Sequence, residues 1–277
     1  RAGLIPRSAG SIPAAGAHLR ASKVACRLGL AWRGAAWRGK ARQGLPWSDS
    51  PKGRLMDYQF RLKGTTPLLM HADDVEASDR LSEWRKKPAN KSLSVPGDDR
   101  SPAWTWTAYV YHDAKHLAMP QETLMAALRY AGAKIPSKGK STFKSMSQSG
   151  LLISSDYCTF LVDGEPISFD WIARLASDDT IRFSDHVNEA RKHGFDLSVK
   201  RAAVGKAKHV RVRPRFDTWE VHGQIRVSEA AITRDVLTQL FEIAGRLAGL
   251  GDWRPSAPSK PGPFGMFDAE ILPAKVR

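Results

Sequence analysis

The chain has 277 residues and a formal net charge of +15, with 42% hydrophobic and 26% charged residues. This length allows one large domain or two small ones, and the ordinary apolar content argues against wholesale disorder. The sequence contains no run of 18 apolar residues, which excludes a standard transmembrane helix. Its two cysteines, Cys26 and Cys158, exclude a disulfide scaffold and a four-thiolate zinc site. We therefore expect a cytoplasmic protein.

Residues 1–55 differ in composition from the rest of the chain. They contain 11 basic residues and one acid, whereas residues 56–277 contain 32 basic and 27 acidic residues. They show no apolar period, and Met56 is the first methionine. We interpret 1–55 as a non-native or disordered basic leader, such as translated upstream sequence, outside the fold. A transit peptide and a basic nucleic-acid-binding arm are the alternatives.

Residues 56–277 are expected to form a single α+β domain with basic insertions. The alternation of Tyr58, Phe60 and Leu62 with polar residues predicts a strand over 57–63. Apolar periodicity and turn residues then predict a charged helix over 76–87, a loop over 88–102, a strand over 104–111 and an amphipathic helix over 121–134.

The second half of the domain is less regular. Residues 136–150 indicate a mobile basic loop, and residues 170–215 cannot be assigned from their pattern. The clear elements are strands over 151–153 and 159–162, a turn at Asp163-Gly164, a strand over 219–227, a helix over 232–248 and a strand over 266–272. Without insertions, the order is β-α-β-β-α-β, which is typical of a ferredoxin-like sheet and of the RNA recognition motif.

Basic residues concentrate in one segment, 191–215, which contains a single acid, Asp196. Such a segment on an otherwise balanced surface indicates phosphate binding, although a solvated hairpin is the alternative. Its basic residues are Arg191, Lys192, Lys200, Arg201, Lys206, Lys208, Arg211, Arg213 and Arg215.

A second basic segment, 134–144, contains no acid; its lysines are Lys134, Lys138, Lys140 and Lys144. Gly139-Lys140-Ser141 is similar to the end of a nucleotide-binding P-loop, but the first glycine of that motif is replaced by Lys134. The segment also follows a helix rather than a strand. We therefore predict a flexible cationic loop without nucleotide hydrolysis.

The most specific local pattern is Gly249-Leu-Gly-Asp-Trp-Arg254, followed after a proline-rich spacer by Gly262-Pro-Phe-Gly-Met-Phe267. The glycines Gly249, Gly251, Gly262 and Gly265 let the backbone approach another chain closely. Trp253 is a candidate for stacking on a base, and Arg254 for binding a phosphate. The alternative is a helix cap and a turn that cover the core.

This glycine-rich pattern resembles the C-terminal loop of the CRISPR-associated RAMP superfamily, and Phe60 to Met70 resembles the first strand and turn of that superfamily. The resemblance implies a ferredoxin-like core and a non-catalytic backbone subunit that binds single-stranded guide RNA in a ribonucleoprotein of antiviral defence. Stand-alone relatives occur in bacterial and phage genomes. The resemblance also implies that copies of the protein assemble head-to-tail along the RNA and contact other effector subunits.

No catalytic residue, metal or cofactor is predicted. Asp73 and Asp74 follow the first strand, where some members of the superfamily carry a nuclease aspartate, so a metal-dependent endoribonuclease remains an alternative. His112 and His116 are four residues apart, as in a metalloprotease pair, but their segment is expected to be strand and turn rather than helix, and it lacks the glutamate of that motif. Two further alternatives are a phage or host single-stranded DNA-binding protein and an interaction protein that binds an acidic partner.

Overall fold

A computed structural model describes residues 56–204 and 207–273, and these residues belong to a single structural unit. Three parts of the sequence predictions lie outside these described residues. They are the interpretation of residues 1–55 as a leader, the assignment of Lys206 to a binding site, and residues 274–277 of the expected domain. The strands are β1 Met56–Gly64, β2 Leu68–Leu69, β3 Ala118–Pro120, β4 Leu151–Ile153, β5 Tyr157–Val162, β6 Glu165–Pro166, β7 Asp196–Val204, β8 Ala207–Phe216, β9 Glu220–Val227 and β10 Phe267–Pro273.

Helices lie between several of these strands, and this mixture confirms the predicted α+β class. They are α1 Val75–Lys86, α2 Gln121–Gly132, α3 Lys144–Ser149, α4 Asp170–Ser177, α5 Phe183–Lys192 and α6 Arg234–Ile243. Short 3-10 helices span Pro88–Asn90 and Ala103–Tyr109, and a π-helical turn over Ala244–Ala248 continues α6. Among the described residues, no helix has the length and apolarity needed to cross a membrane.

The larger sheet is antiparallel and has the strand order β10-β1-β9-β5-β3, with β4 also paired to β9 and β6 to β5. Strand β1 is central because it pairs with β10 on one side and β9 on the other. Its alternating side chains Tyr58, Phe60 and Leu62 are buried, whereas Arg61 and Lys63 are exposed. The period of two predicted from the sequence therefore places the core on one face of this sheet.

Helices α2 and α6 contact each other, and α6 packs on β10. The Phe60 ring of β1 lies 5.4 Å from the Phe241 ring of α6, measured between centroids. Thr233 caps α6, since its side chain accepts a hydrogen bond from the Val236 amide. The π-helical turn ends at Gly249, whose φ of 69° suits glycine. The predicted helices over 121–134 and 232–248 are confirmed.

The smaller sheet has the order β2-β8-β7 and consists mainly of the long β7–β8 hairpin. It occupies much of the segment that the sequence pattern left unassigned. Phe216, at the end of β8, packs 5.0 Å from Phe160 of the larger sheet and 4.7 Å from Phe195, measured between ring centroids. These aromatic contacts hold the hairpin against the core.

Two predictions of secondary structure are wrong. Residues Ala103–Tyr109 form a 3-10 helix rather than a strand. Their aromatic composition favours a strand, but Trp106 is fully buried and its indole N–H donates to His186 Nδ1 of α5 at 3.1 Å. The predicted loop over 136–150 contains helix α3, since buried Phe143 and Ser147 anchor it beside α2.

Candidate nucleic-acid interface

A groove of about 610 Å³ separates the β7–β8 hairpin from residues 252–260 of the glycine-rich loop. We call it the hairpin groove. It brings together two segments that were predicted separately, 191–215 and 249–267. The charged and aromatic residues that line it are Lys200, Arg201, Arg211, Arg213, Asp252, Trp253, Arg254 and Lys260.

The glycine-rich loop is held tightly by the chain that follows β1. The amide of Asp252 donates to Leu69 O at 2.8 Å, and the amide of Gly265 donates to Pro67 O at 2.8 Å. Gly251 and Gly265 both have φ of 72°, and a Cβ at either position would collide with a backbone carbonyl oxygen. The glycines thus permit close approach between backbone segments of this chain. This agrees with the alternative in which the motif forms a helix cap and a turn that cover the core.

The remaining two glycines support the same loop. Gly249 ends the α6 helix, and its amide donates to Ala244 O at 2.9 Å. Gly262 lies directly against Trp253, so that a Cβ there would overlap the indole ring. The four glycines thus allow the close packing that positions Trp253 and Arg254.

Trp253 stands at the wall of the hairpin groove and keeps 37% of its surface exposed. Its ring stacks on Phe264 with 5.5 Å between centroids, and Lys200 Nζ lies 4.1 Å from the ring centroid. A cation over an indole face is favourable, and exposed indole rings also stack on nucleobases. The two predicted residues therefore form one aromatic and cationic unit.

Arg254 is positioned by its own loop. Its Nη1 donates to Gly251 O at 2.9 Å and its Nε donates to Ser256 Oγ at 3.1 Å. A guanidinium group carries five N–H donors, so these two bonds orient the group and leave donors for an anion. No described carboxylate forms an ion pair with Arg254.

Arg213 forms ion pairs within the protein. Its side chain is only 12% exposed and pairs with Asp99 at 3.3 Å and with Asp252 at 3.0 Å. The guanidinium carbon also lies 4.3 Å from the centroid of the Tyr109 ring. Arg213 therefore connects β8 to the glycine-rich loop and to the segment that contains Asp99.

The neighbouring arginines of β8 are also paired. Arg211 Nη1 lies 3.0 Å from Asp99 Oδ1, and Arg215 Nε lies 2.8 Å from Asp217 Oδ1. Asp99 is 5% exposed and additionally accepts a hydrogen bond from the Val212 amide. The three arginines that dominate the sequence pattern thus have most of their charge compensated by Asp99, Asp252 and Asp217.

The cations without such compensation lie on the rim of the groove. Lys200, Arg201 and Lys260 are exposed, line the groove and form no ion pair with any carboxylate in the described part of the chain. Lys208 is exposed on β8 but does not line the groove. The rim cations Lys200, Arg201 and Lys260 therefore remain available for phosphate, as does Arg254.

The predicted lysines of 134–144 lie apart from the hairpin groove. Lys138 and Lys140 are exposed in a turn closed by a bridge between Pro136 and Thr142. Lys144 borders a second cavity of about 410 Å³ between α2 and the glycine-rich loop, which we call the α2 cavity. Arg254 lines both the α2 cavity and the hairpin groove.

Lys260, Arg129 and Asp99 are not among the residues predicted from the sequence. Lys260 lies in the proline-rich spacer, and Arg129 lies on the wet face of α2, beside the α2 cavity. Both positions look like ordinary solvated charges in the sequence. Asp99 pairs with residues more than a hundred positions away, and no local pattern indicates such a contact.

Asp73 and Asp74 lie in a third cavity, of about 650 Å³, which is acidic. Asp74 caps α1 by accepting a hydrogen bond from the Ala77 amide at 3.1 Å. Glu76 and Glu122 also line the acidic cavity, and no lysine or arginine does. Within the described ranges, no group of three His, Cys, Asp or Glu side chains has the geometry of a metal site. A polyanion is repelled by such a surface.

His71 links the acidic cavity to the hairpin groove. Its Nε2 lies 3.2 Å from Arg213 Nη2 and its Nδ1 lies 3.7 Å from Asp252 Oδ2. Burial and the nearby Arg213 charge lower the pKa of His71 below its ordinary value of 6.5. The neutral imidazole therefore accepts a hydrogen bond from the Arg213 guanidinium.

The exposed face of the larger sheet is mixed in charge. Arg226 pairs with Asp57 at 2.8 Å, and His222 Nε2 lies 2.9 Å from Glu220 Oε2. Tyr157, at the start of β5, is 44% exposed, but the central strands present no aromatic row on this face. The face lacks the stacking platform by which RNA recognition motifs bind bases.

The chain matches no family model, and no curated protein has significant sequence similarity to it.

Proposed function

We propose that this protein binds single-stranded RNA in the hairpin groove without chemical catalysis. The phosphates would follow the rim cations Lys200, Arg201 and Lys260, and a base would stack beside Trp253. The observation that carries this proposal is the convergence of uncompensated cations and a half-exposed indole in one groove. Single-strand binding proteins combine the same two features.

We further propose a ferredoxin-like core for the larger sheet. Strands β1, β5, β9 and β10, with α2 after the first and α6 after the third, follow the β-α-β-β-α-β order. Their spatial order β10-β1-β9-β5 and their antiparallel pairing support this assignment. The β7–β8 hairpin is then an insertion before β9 that supplies one wall of the groove.

On the resemblance of the glycine-rich loop to RAMP proteins, we propose that the chain is a backbone-type subunit whose copies line up along a guide RNA. Contacts to phosphates alone supply affinity and little sequence discrimination, as a subunit that coats any guide requires. Head-to-tail copies would form an open filament.

The experiment compares full-length wild type with a triple variant, Lys200→Ala, Arg201→Ala and Lys260→Ala. Fluorescence anisotropy measures binding of one labelled RNA and of the DNA of the same sequence over a range of salt concentrations. The logarithm of affinity should depend less steeply on the logarithm of salt in the variant, by about 2, since each single-strand phosphate contact contributes about 0.7.

The matched control removes the same charge from exposed positions outside the groove, with Arg85→Ala, Lys86→Ala and Lys91→Ala. This variant should keep the salt dependence of the wild type. An equal loss in both variants would show that binding follows net charge rather than the groove. Tighter binding of DNA than of RNA would favour the DNA-binding alternative, and no salt-sensitive binding would overturn the proposal.

A further inference from the structure

The α2 cavity has a different chemistry from the hairpin groove. Three cations from three separate segments border it, namely Arg129 of α2, Lys144 of α3 and Arg254 of the glycine-rich loop. None of the described aspartates and glutamates lines the cavity. Its volume of about 410 Å³ falls within the range of small-molecule sites, about 300–1,000 Å³.

The same cavity offers aromatic and small apolar surface beside these cations. Tyr130 is 37% exposed, Tyr111 is half-buried, and Ala126, Ala127 and Ala133 contribute methyl groups. Lys134 Nζ lies 5.3 Å from the centroid of the Tyr130 ring and adds a fourth positive charge nearby. A flat aromatic ring next to clustered cations suits a ligand that has both a planar base and a phosphate.

Arg254 provides a guanidinium group that its own loop already orients. Its bonds to Gly251 O and Ser256 Oγ fix the guanidinium, which leaves part of its fork of N–H donors for a phosphate. Little side-chain freedom is lost when such a group binds an anion. Because Arg254 lines both cavities, the α2 cavity opens beside the path of a strand in the hairpin groove.

We propose that the α2 cavity is a nucleoside monophosphate site, in which Tyr130 contacts the base and Lys144 and Arg254 bind the phosphate. The nucleotide is either free or the terminal nucleotide of a bound strand. Only the second source rests on the function proposed above. The two sources share one chemistry, and the experiment separates them.

Isothermal titration of the full-length protein with AMP, adenosine and inorganic phosphate tests the site directly. AMP should bind more tightly than either of its parts. Tyr130→Ala should weaken AMP binding about 5- to 150-fold, which is the stacking contribution expressed as an affinity ratio. Tyr130→Phe should retain the affinity of the wild type, because the ring remains.

The control is Tyr157→Ala, since Tyr157 is similarly exposed and lies outside the α2 cavity. It should bind AMP like the wild type. Lys144→Glu is a second variant on an exposed side chain, and it should weaken AMP binding but not adenosine binding. AMP binding that is absent, or unchanged in both Tyr130→Ala and Lys144→Glu, overturns the proposal.

Oligonucleotides with a terminal phosphate or a terminal hydroxyl identify the source of the nucleotide. Competition between AMP and the phosphorylated oligonucleotide that disappears in Tyr130→Ala assigns the site to a strand terminus. AMP binding without such competition assigns it to a free nucleotide. Oligonucleotide binding that depends only on the rim cations, with no AMP binding, leaves the proposed function standing and removes this site.

Discussion

Two sets of cations lie in or near the hairpin groove, and they differ in whether a carboxylate pairs with them. Arg211, Arg213 and Arg215 alternate along one strand and pair with aspartates at 3.0, 3.0 and 2.8 Å, respectively, at their shortest contacts. The rim cations Lys200, Arg201 and Lys260 pair with none of the described carboxylates. Basic residues that carry the same charge in the sequence thus fall into two groups, one paired with carboxylates and one unpaired.

The difference shows that a run of basic residues does not by itself identify a polyanion site. A buried arginine that pairs with two carboxylates connects the segments around it, and its charge is largely neutralised within the protein. An exposed lysine keeps its charge for a ligand, at little cost to the fold if it is removed. Substitutions in each set separate these two roles.

The largest expected effect is the loss of stability on replacing Arg213. Arg213→Ala removes one of the two arginines that pair with Asp99, which is 5% exposed, and also removes the pair with Asp252; breaking such a buried pair costs about 3–5 kcal/mol. Urea unfolding of the full-length protein measures this change. The control Arg215→Ala removes an exposed pair with Asp217 and should cost less than about 1 kcal/mol. Equal losses in the two variants would erase the distinction.

The second effect concerns the loop that holds Trp253 and Arg254. Gly265→Ala introduces a Cβ that collides with Leu250 O at a φ of 72°, and we expect a destabilisation of about 3 kcal/mol. Gly164→Ala is the matched control, because Gly164 has a φ of 85° but open space around it. It should cost about 1 kcal/mol in the same unfolding measurement. A similar cost at both sites would mean that the loop relaxes.

The third effect is on binding rather than on folding. Trp253→Ala should weaken RNA binding by about 1–3 kcal/mol if the exposed indole stacks on a base, whereas Trp253→Phe should keep most of the affinity. Anisotropy at fixed salt measures both variants. Wild-type affinity in a folded Trp253→Ala variant would leave the rim cations as the only contributors.

The smallest effect is a dependence of stability on pH through His71. The folded state lowers the pKa of this imidazole through burial and the Arg213 charge, and opposing charges on Asp252, Asp73 and Asp99 only partly compensate. Below about pH 6.5 the unfolded chain therefore takes up a proton more readily than the folded chain, and the unfolding free energy falls as the pH decreases. Above pH 7 this contribution is complete.

The variant His71→Gln keeps a polar side chain in this position and does not titrate. Its unfolding free energy should decline less between pH 7.5 and pH 5.5 than that of the wild type, as measured by urea unfolding at each pH. The lowered pKa values of His112 and His186 act in the same direction in both proteins and cancel in the comparison. Parallel pH profiles would remove His71 from this role.

Local pattern determined the regular elements of the larger sheet. The alternation of Tyr58, Phe60 and Leu62 and the apolar face of α6 each indicate one buried face. Such a face is buried in the same way by any packing partner of suitable shape, so these elements can be predicted without knowing the partner. Pattern failed at Trp104 and Trp106, where β propensity was overridden by packing against His186 and Asp179. It gave the β7–β8 hairpin only as an alternative for segment 191–215 and did not assign its strands.

The sequence by itself determined that the chain is an α+β protein with concentrated positive charge and a glycine-rich turn after its last helix. Composition and periodicity carry that information because they act over a few neighbouring residues. Only the tertiary structure decided which cations remain uncompensated, since Asp99 and Asp252 reach Arg213 from segments far away in the chain. Ion pairing depends on distances in space, and those distances arise from packing.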